Sequence, residues 1–440
     1  MGEFKPPASE REFEENFAQI KPLMSDTQAY YESSRCLFCY DAPCVNACPT
    51  GIDIPLFIRQ INSGNELGAA KTIYNSNYFG YACGKVCPTE VLCEGACVYN
   101  RQNVKPIEIG RLQSFATGKA ISTGKKLFIP PKSNGKKVAV IGAGPAGISC
   151  ACELRMYGFE VDIFESKSKP SGLTVHGVAP YKITNEDALN EMDYLEKQFG
   201  YKVHYSTTIN SESDIQQLEK NYDSIFIGVG LGSTSKLNIR GEALENVFGA
   251  VEFVEQLRMN HYKISVPEKV IVLGGGNTAM DAASESARMG AKKVLLAYRR
   301  SKEEMPAYDF EYELAKSVGV KGMFNVAPVE ILGSGKVAGV KFVHTQTENG
   351  KISTVNGSEF IEACDWVIKA TGQSKQDQLL SLIKGMAVDE KGRIVVNQNS
   401  FQTTHPKYFA AGDAVSGGEE VVNAVADGKK AARGILNILI

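Results

Sequence analysis

The 440-residue chain has a hydrophobic fraction of 43%, a charged fraction of 22% and a formal net charge of −2. This near-neutral balance, with no concentrated basic stripe, excludes a general attraction to nucleic acid or an anionic membrane. No apolar run reaches spanning length and the opening MGEFKPPASEREFEENF is too acidic and polar for a signal peptide, so a cytoplasmic protein of roughly two or three domains is expected.

Taken in order, residues 1–35 carry helix-compatible apolar spacing at Phe13, Phe17 and Ile20 and offer no chemistry. Eight of the eleven cysteines follow between Cys36 and Cys97, clustering that in a reducing compartment points to metal or iron–sulfur ligation over disulfides. They read Cys36-x2-Cys39-x4-Cys44-x3-Cys48-Pro49 and, beyond a helical interval at 55–75, Cys83-x3-Cys87-Pro88 and Cys93-x3-Cys97. Runs of cysteine ending in Cys-Pro are a habit of ferredoxin-like cluster binding, in which the fourth cysteine often serves the other cluster. Two cubane clusters need eight ligands, and the eight cysteines would supply them. Two structural zinc sites are the rival reading, since Cys-x2-Cys is also a zinc habit. Cys150, Cys152 and Cys364 have no metal-like spacing and read as small buried hydrophobes.

The Pro, Gly and Ser content of 122–135 marks a linker. The strand Val138-Ala139-Val140-Ile141 then enters Gly142-x-Gly144-x-x-Gly147, a helical stretch and a second strand ending on Glu165. Gly142 permits the tight turn, Gly144 lets the backbone approach a pyrophosphate, and Gly147 lets the helix pack on the strand. The helix N-terminus offers free N–H groups, and Glu165 can accept from a ribose diol. A second unit repeats the pattern with Gly274-Gly275-Gly276-Asn277-Thr278-Ala279, but its second strand, 294–298, ends in Arg299-Arg300. Guanidinium groups suit a 2′-phosphate, so this site leans toward NADP(H), with NAD(H) open. After the strand Trp366-Val367-Ile368 comes Ala410-Ala411-Gly412-Asp413 and a helix from Val421; an acid placed there can hold a flavin's ribityl chain. The expected fold is α/β: two Rossmann-like nucleotide domains, one inserted in the other, behind a mainly α-helical iron–sulfur domain. The expected boundaries are 1–125 for the cluster domain, 136–248 with 366–440 for FAD, and 249–365 for NAD(P)H.

Over essentially its whole length the chain resembles the flavin and NAD(P)H electron-input module shared by dihydropyrimidine dehydrogenase and the glutamate synthase small subunit. RCLFCYDAPCVNACPTGIDI, CGKVCPTEVLCEGAC and PIEIGRLQSFAT carry the likeness, which is greater to the N-terminal half of dihydropyrimidine dehydrogenase. The resemblance implies Cys36, Cys39, Cys44 and Cys97 around one 4Fe-4S cluster, and Cys48, Cys87, Cys93 and Gln113 around the other, with Cys83 a non-ligand. Glutamate synthase small subunits tend to carry glutamate in place of Gln113. It also implies FAD in the first nucleotide site, a nicotinamide cofactor in the second, and Lys182 as a basic residue near the flavin ring. No segment resembles an FMN-bearing barrel, so an FMN-containing partner subunit that reduces uracil or thymine is expected. The alternatives are a glutamate synthase small subunit or a non-enzymatic zinc-bearing adaptor.

Overall fold

A computed structural model describes residues 4–348 and 350–440. The chain divides into two compact units. The larger comprises Ile20–Val175, Lys182–Leu231 and Lys375–Ile440; the smaller comprises Gly232–Ser374, His176–Tyr181 and the described part of Met1–Gln19.

The larger unit begins with helices Asp26–Ser34, Ile54–Asn62, Glu66–Ser76, Gly80–Val86 and Ile109–Thr123. The helical interval expected at 55–75 is two helices. Gly64, at φ +75°, ends the first, and the Asn65 side chain accepts from Gly68 N to start the second. Phe57, Ile58, Ile73, Leu112 and Phe115 form the core of this part. Then β1 (Lys137–Ile141), β2 (Glu160–Phe164), β3 (Lys202–His204), β4 (Ser224–Ile227) and the late β14 (Tyr408–Ala410) build a parallel sheet in the order β14-β4-β1-β2-β3. β1 lies between β2 and β4, so the loop leaving it opens at the topological switch point, where such sheets bind ligands.

The smaller unit repeats the design. β5 (Val247–Gly249), β6 (Lys269–Leu273), β7 (Lys293–Tyr298), β8 (Lys321–Phe324) and β13 (Trp366–Lys369) form a parallel sheet in the order β5-β13-β6-β7-β8. A separate antiparallel sheet of β9 (Val326–Ser334), β10 (Lys336–Glu348), β11 (Lys351–Thr354) and β12 (Phe360–Ala363) has no counterpart in the sequence expectation.

The two compact units divide the chain differently from the expected boundaries at three places. β13 pairs with β5 and β6, so 366–374 belong with the second sheet and not with the first. β5 lies there too, which moves the earlier boundary from 248 to 231. Finally, 20–125 fall in the same compact unit as the first sheet, and Phe13 and Phe17 join the core of the smaller unit beside Tyr181 and Phe253. A short buried apolar run such as Trp366-Val367-Ile368 suits either parallel sheet, and its own sequence carries no address. Among the described residues no helix is long and apolar enough to cross a membrane.

Candidate functional site

Gly142 follows β1 at φ +100°, where a Cβ would stand 2.6 Å from the Gly228 carbonyl oxygen. A Cβ on Gly147 would stand 2.0 Å from the Gly142 carbonyl oxygen, so only glycine lets the helix Pro145–Met156 sit this close to the strand. Gly144 is the N-cap of that helix and Pro145 its first residue, which leaves unspent N–H groups facing the loop. Glu165, at the end of β2, is buried. Its Oε2 accepts from the Ala143 N–H and its Oε1 from the Lys167 N–H, both at 2.7 Å, which fixes the carboxylate beside the glycine loop. From the other end of the chain, Gly412 at φ +71° places an added Cβ 3.0 Å from the Ala146 Cβ. Asp413 follows it, accepting from the Glu419 N–H at 3.1 Å, and burial lifts its carboxyl above the usual aspartate range. Gly142, Gly144, Gly147, Glu165, Gly412 and Asp413 thus all follow the C-terminal ends of strands of one sheet. This cradle, with backbone where side chains would obstruct, fits a dinucleotide pyrophosphate and its ribose. Lys182 is buried and precedes the N-cap Thr184 of the helix Asn185–Phe199 by two residues.

In the smaller unit Gly274, at φ +150°, leaves room for the Ala370 carbonyl oxygen, which a Cβ would approach to 2.3 Å. Gly276 caps the helix Asn277–Arg288, and nothing stands within 4 Å of a Cβ placed on it, so the approach to this N-terminus is open. Asn277 Oδ1 accepts from the Tyr308 N–H at 3.1 Å, and Thr278 is exposed beside it. Arg299 is exposed and Arg300 half-buried at the end of β7, with Arg300 Nε 3.9 Å from Glu304 Oε1. One nucleotide loop therefore carries a carboxylate at its second strand and the other two guanidinium groups.

The cysteines divide between two pockets. Cys36, Cys39, Cys44 and Cys97 line one, walled by Ile54, Ile58, Ile107 and Ile109. Cys48, Cys83, Cys87, Cys93 and Gln113 line another. Burial pushes the Cys44 thiol up to about 12, with Cys36 and Cys97 adding to the shift, and it raises Cys36 and Cys93 as well. Cys87 is raised by its hydrogen bond with Cys83 and then by burial. Without metal these thiols hold their protons, and ligation must release them. All the cysteines are free thiols. Among the described residues no group of three or more His, Cys, Asp or Glu side chains is spaced to hold a single ion. Two thiol-lined pockets, the first walled by isoleucines, suit a sulfur-rich group, which is the chemistry of iron–sulfur clusters. Gln113 is buried, and its Nε2 donates to the Gly80 carbonyl oxygen at 2.6 Å, which leaves Oε1 as the amide atom able to ligate.

Two groups near this pocket were outside the reach of sequence motifs. Glu191 is fully buried; its Oε1 accepts from Tyr81 N at 2.6 Å and Tyr74 Oη at 3.1 Å, and its Oε2 from Ala82 N at 2.9 Å. It caps the helix Gly80–Val86, which leads into Cys87, from a position more than a hundred residues away. Glu153 accepts from Tyr78 and Tyr157 hydroxyls, each at 2.7 Å, and pairs with Arg433 at 3.2 Å and Lys429 at 3.5 Å. Burial alone would raise its carboxyl, but Lys429, the two tyrosines and Arg433 together hold it below the usual range.

Comparisons with known proteins agree with this chemistry. Residues 13–125 match the family described as dihydropyrimidine dehydrogenase domain II, 4Fe-4S cluster, and residues 136–428 the pyridine nucleotide-disulphide oxidoreductases. The chain is 34% identical to the glutamate synthase [NADPH] small chain of Escherichia coli K12, over 96% of this chain and 94% of that one. It is also 34% identical to the NAD-dependent dihydropyrimidine dehydrogenase subunit PreT of the same organism, over 96% of this chain and 97% of that one. Among solved structures, Mycobacterium tuberculosis FprA in complex with NADPH shares the fold at a TM-score of 0.58 and 17% identity, covering 69% of this chain and 84% of that one. Thioredoxin reductase of T. acidophilum does so at a TM-score of 0.53 and 23% identity, over 69% and 98% of the respective chains. In this chain, parallel sheets carrying two nucleotide loops follow a helical cysteine-rich segment. The chain therefore belongs to the pyridine nucleotide-disulphide oxidoreductase family, as an NAD(P)H-dependent flavin and iron–sulfur oxidoreductase related to PreT and to the glutamate synthase small chain.

Proposed function

We propose that this chain is the electron-input subunit of a dihydropyrimidine dehydrogenase, delivering electrons from NAD(P)H to an FMN-containing partner subunit that reduces uracil or thymine to the 5,6-dihydropyrimidine. The observation that carries the reading is Gln113, a buried neutral amide in the wall of the pocket lined by Cys48, Cys87 and Cys93. When bound, FAD accepts a hydride from the nicotinamide and releases single electrons, which iron–sulfur clusters pass on one at a time.

The chain's own residues position these groups. Gly142, Gly144 and Gly147 bring backbone N–H groups to the flavin pyrophosphate, Glu165 orients the ribose, Gly412 and Asp413 hold the ribityl chain, and Lys182 faces the flavin ring. Gly274, Gly276, Asn277 and Thr278 receive the coenzyme pyrophosphate, and Arg299 and Arg300 its 2′-phosphate. Cys36, Cys39, Cys44 and Cys97 hold one 4Fe-4S cluster, and Cys48, Cys87, Cys93 and Gln113 the second. No side-chain nucleophile is required. Leu37 and Tyr40, 56% and 106% exposed beside Cys36 and Cys39, are the apolar surface that a partner subunit would cover. A glutamate synthase small chain is the second reading, favoured by a relative of that kind at the same identity as PreT.

The test is an anaerobic spectrum with iron and sulfide assay, then titration with NADH and with NADPH. About eight irons per chain, with flavin bands bleached by one nucleotide, is the expected result. Mixing with an FMN partner and uracil, against a glutamine-dependent large subunit, separates the two readings. Zinc in place of iron, or no flavin, overturns both.

A further inference from the structure

The second cysteine pocket contains a polar group that none of the ligand motifs explains. Asn77 lies in its wall with Cys48, Cys87, Cys93 and Gln113, and is 0% exposed. Its backbone N–H donates to the Ile73 carbonyl oxygen at 2.8 Å, and its Oδ1 accepts from the Phe79 N–H at 2.9 Å. Main chain and side chain are thus both tethered just ahead of the helix Gly80–Val86. Its Nδ2 has no hydrogen-bond partner. Leaving a buried amide donor unmade is costly, and native proteins carry few such groups without an occupant that satisfies them. The other cysteine pocket has no side-chain amide in its wall. The orphaned donor is therefore particular to the pocket that also holds Gln113.

We infer that Asn77 Nδ2 donates a hydrogen bond to a sulfur of the cluster held in this pocket, and that it raises the reduction potential of that cluster alone. The inference rests on the proposed assignment of the pocket to a 4Fe-4S cluster. Reduction adds negative charge to the sulfurs, and an N–H directed at one of them stabilises the reduced state more than the oxidised state. Asn77 is a positioning and tuning residue; it takes no part in hydride transfer.

The test is a redox titration of the holoprotein followed by electron paramagnetic resonance, on wild type, Asn77→Asp and Asn77→Ala. Asp keeps the acceptor for the Phe79 N–H and removes the amide donor; Ala removes both. The expected result is a lower midpoint potential for one cluster signal in both variants, with iron content, flavin content and the second signal unchanged. Unchanged potentials, an equal shift of both signals, or a shift in Asn77→Ala only would overturn the inference, the last because it would trace the effect to the turn. A measurement independent of variant folding is made on wild type labelled with 15N-asparagine, where the reduced cluster should show a 15N hyperfine coupling; its absence overturns the inference. About four irons per wild-type chain would instead overturn the pocket assignment, and the inference with it.

Discussion

Gly142 and Arg300 are single residues whose replacement separates the two nucleotide sites. Gly142 combines φ +100° with a neighbour 2.6 Å from any Cβ, so Gly142→Ala adds strain of roughly 1–3 kcal/mol at the loop proposed to receive the flavin. Flavin absorbance per chain after gel filtration should fall about tenfold or more, whereas retention at the wild-type level would show that the loop does not bind it. Arg300→Ala should raise KM for NADPH by about tenfold and leave KM for NADH within about twofold, because only the former carries the 2′-phosphate that a guanidinium forks around. Equal effects on both coenzymes would remove the phosphate role. At this scale the glycines and the acid or arginines at the second strand were legible, because a βαβ turn fixes its chemistry within about thirty consecutive residues. Glu191, Glu153 and Asn77 were not, because each acquires its role from packing. Glu153 meets Tyr78 across 75 positions of sequence, and no spacing rule reaches that far.

The helix Gly80–Val86 is an element held by an acid from elsewhere. Its N-terminal N–H groups at Tyr81 and Ala82 end on Glu191, whose carboxyl burial raises from 4.5 to about 7 despite those bonds. A raised acid favours the fold while protonated, so its contribution is complete below pH 4.5 and is lost as the pH rises through about 7. The loss amounts to about 3 kcal/mol at most. In thermal melts of the holoprotein, the drop in melting temperature between pH 5 and pH 8 should therefore shrink in Glu191→Gln. A drop identical to wild type would show that Glu191 does not titrate in this range. Elements with a strong local pattern, β1, β6 and the helices behind them, were readable from sequence. β13 was read as a strand but given to the wrong sheet, since Trp366-Val367-Ile368 states burial without stating a neighbour. The antiparallel strands β9 to β12 escaped notice because nothing in the motifs requires them.

At the scale of the whole molecule, the smaller unit is assembled from three separated stretches of chain. Phe13 and Phe17 stack with ring centroids 4.4 Å apart and enter its core, with Phe17 also 6.4 Å from the Tyr181 ring. Phe17→Ala should lower the stability of this unit by roughly 3 kcal/mol, the usual cost of emptying a buried aromatic site. The measurement is the temperature at which NADPH-dependent flavin reduction is lost; an unchanged temperature would show that the amino-terminal segment does not support the unit. The composition gave no hint of this, since residues 1–35 carry only an apolar spacing that any docking helix would show.

The same arrangement sets a timetable for synthesis. Phe13 and Phe17 emerge from the ribosome well before their partners, since Phe253 and Val272 lie more than two hundred residues later in the chain. At about 5–20 residues per second the two rings wait on the order of tens of seconds for their place in the core. The cluster segment, whose core contacts are close in sequence, emerges complete while they wait. Nascent chains stalled before residue 250 should accordingly present an aromatic amino-terminal tail to chaperones, and those released after residue 374 should not.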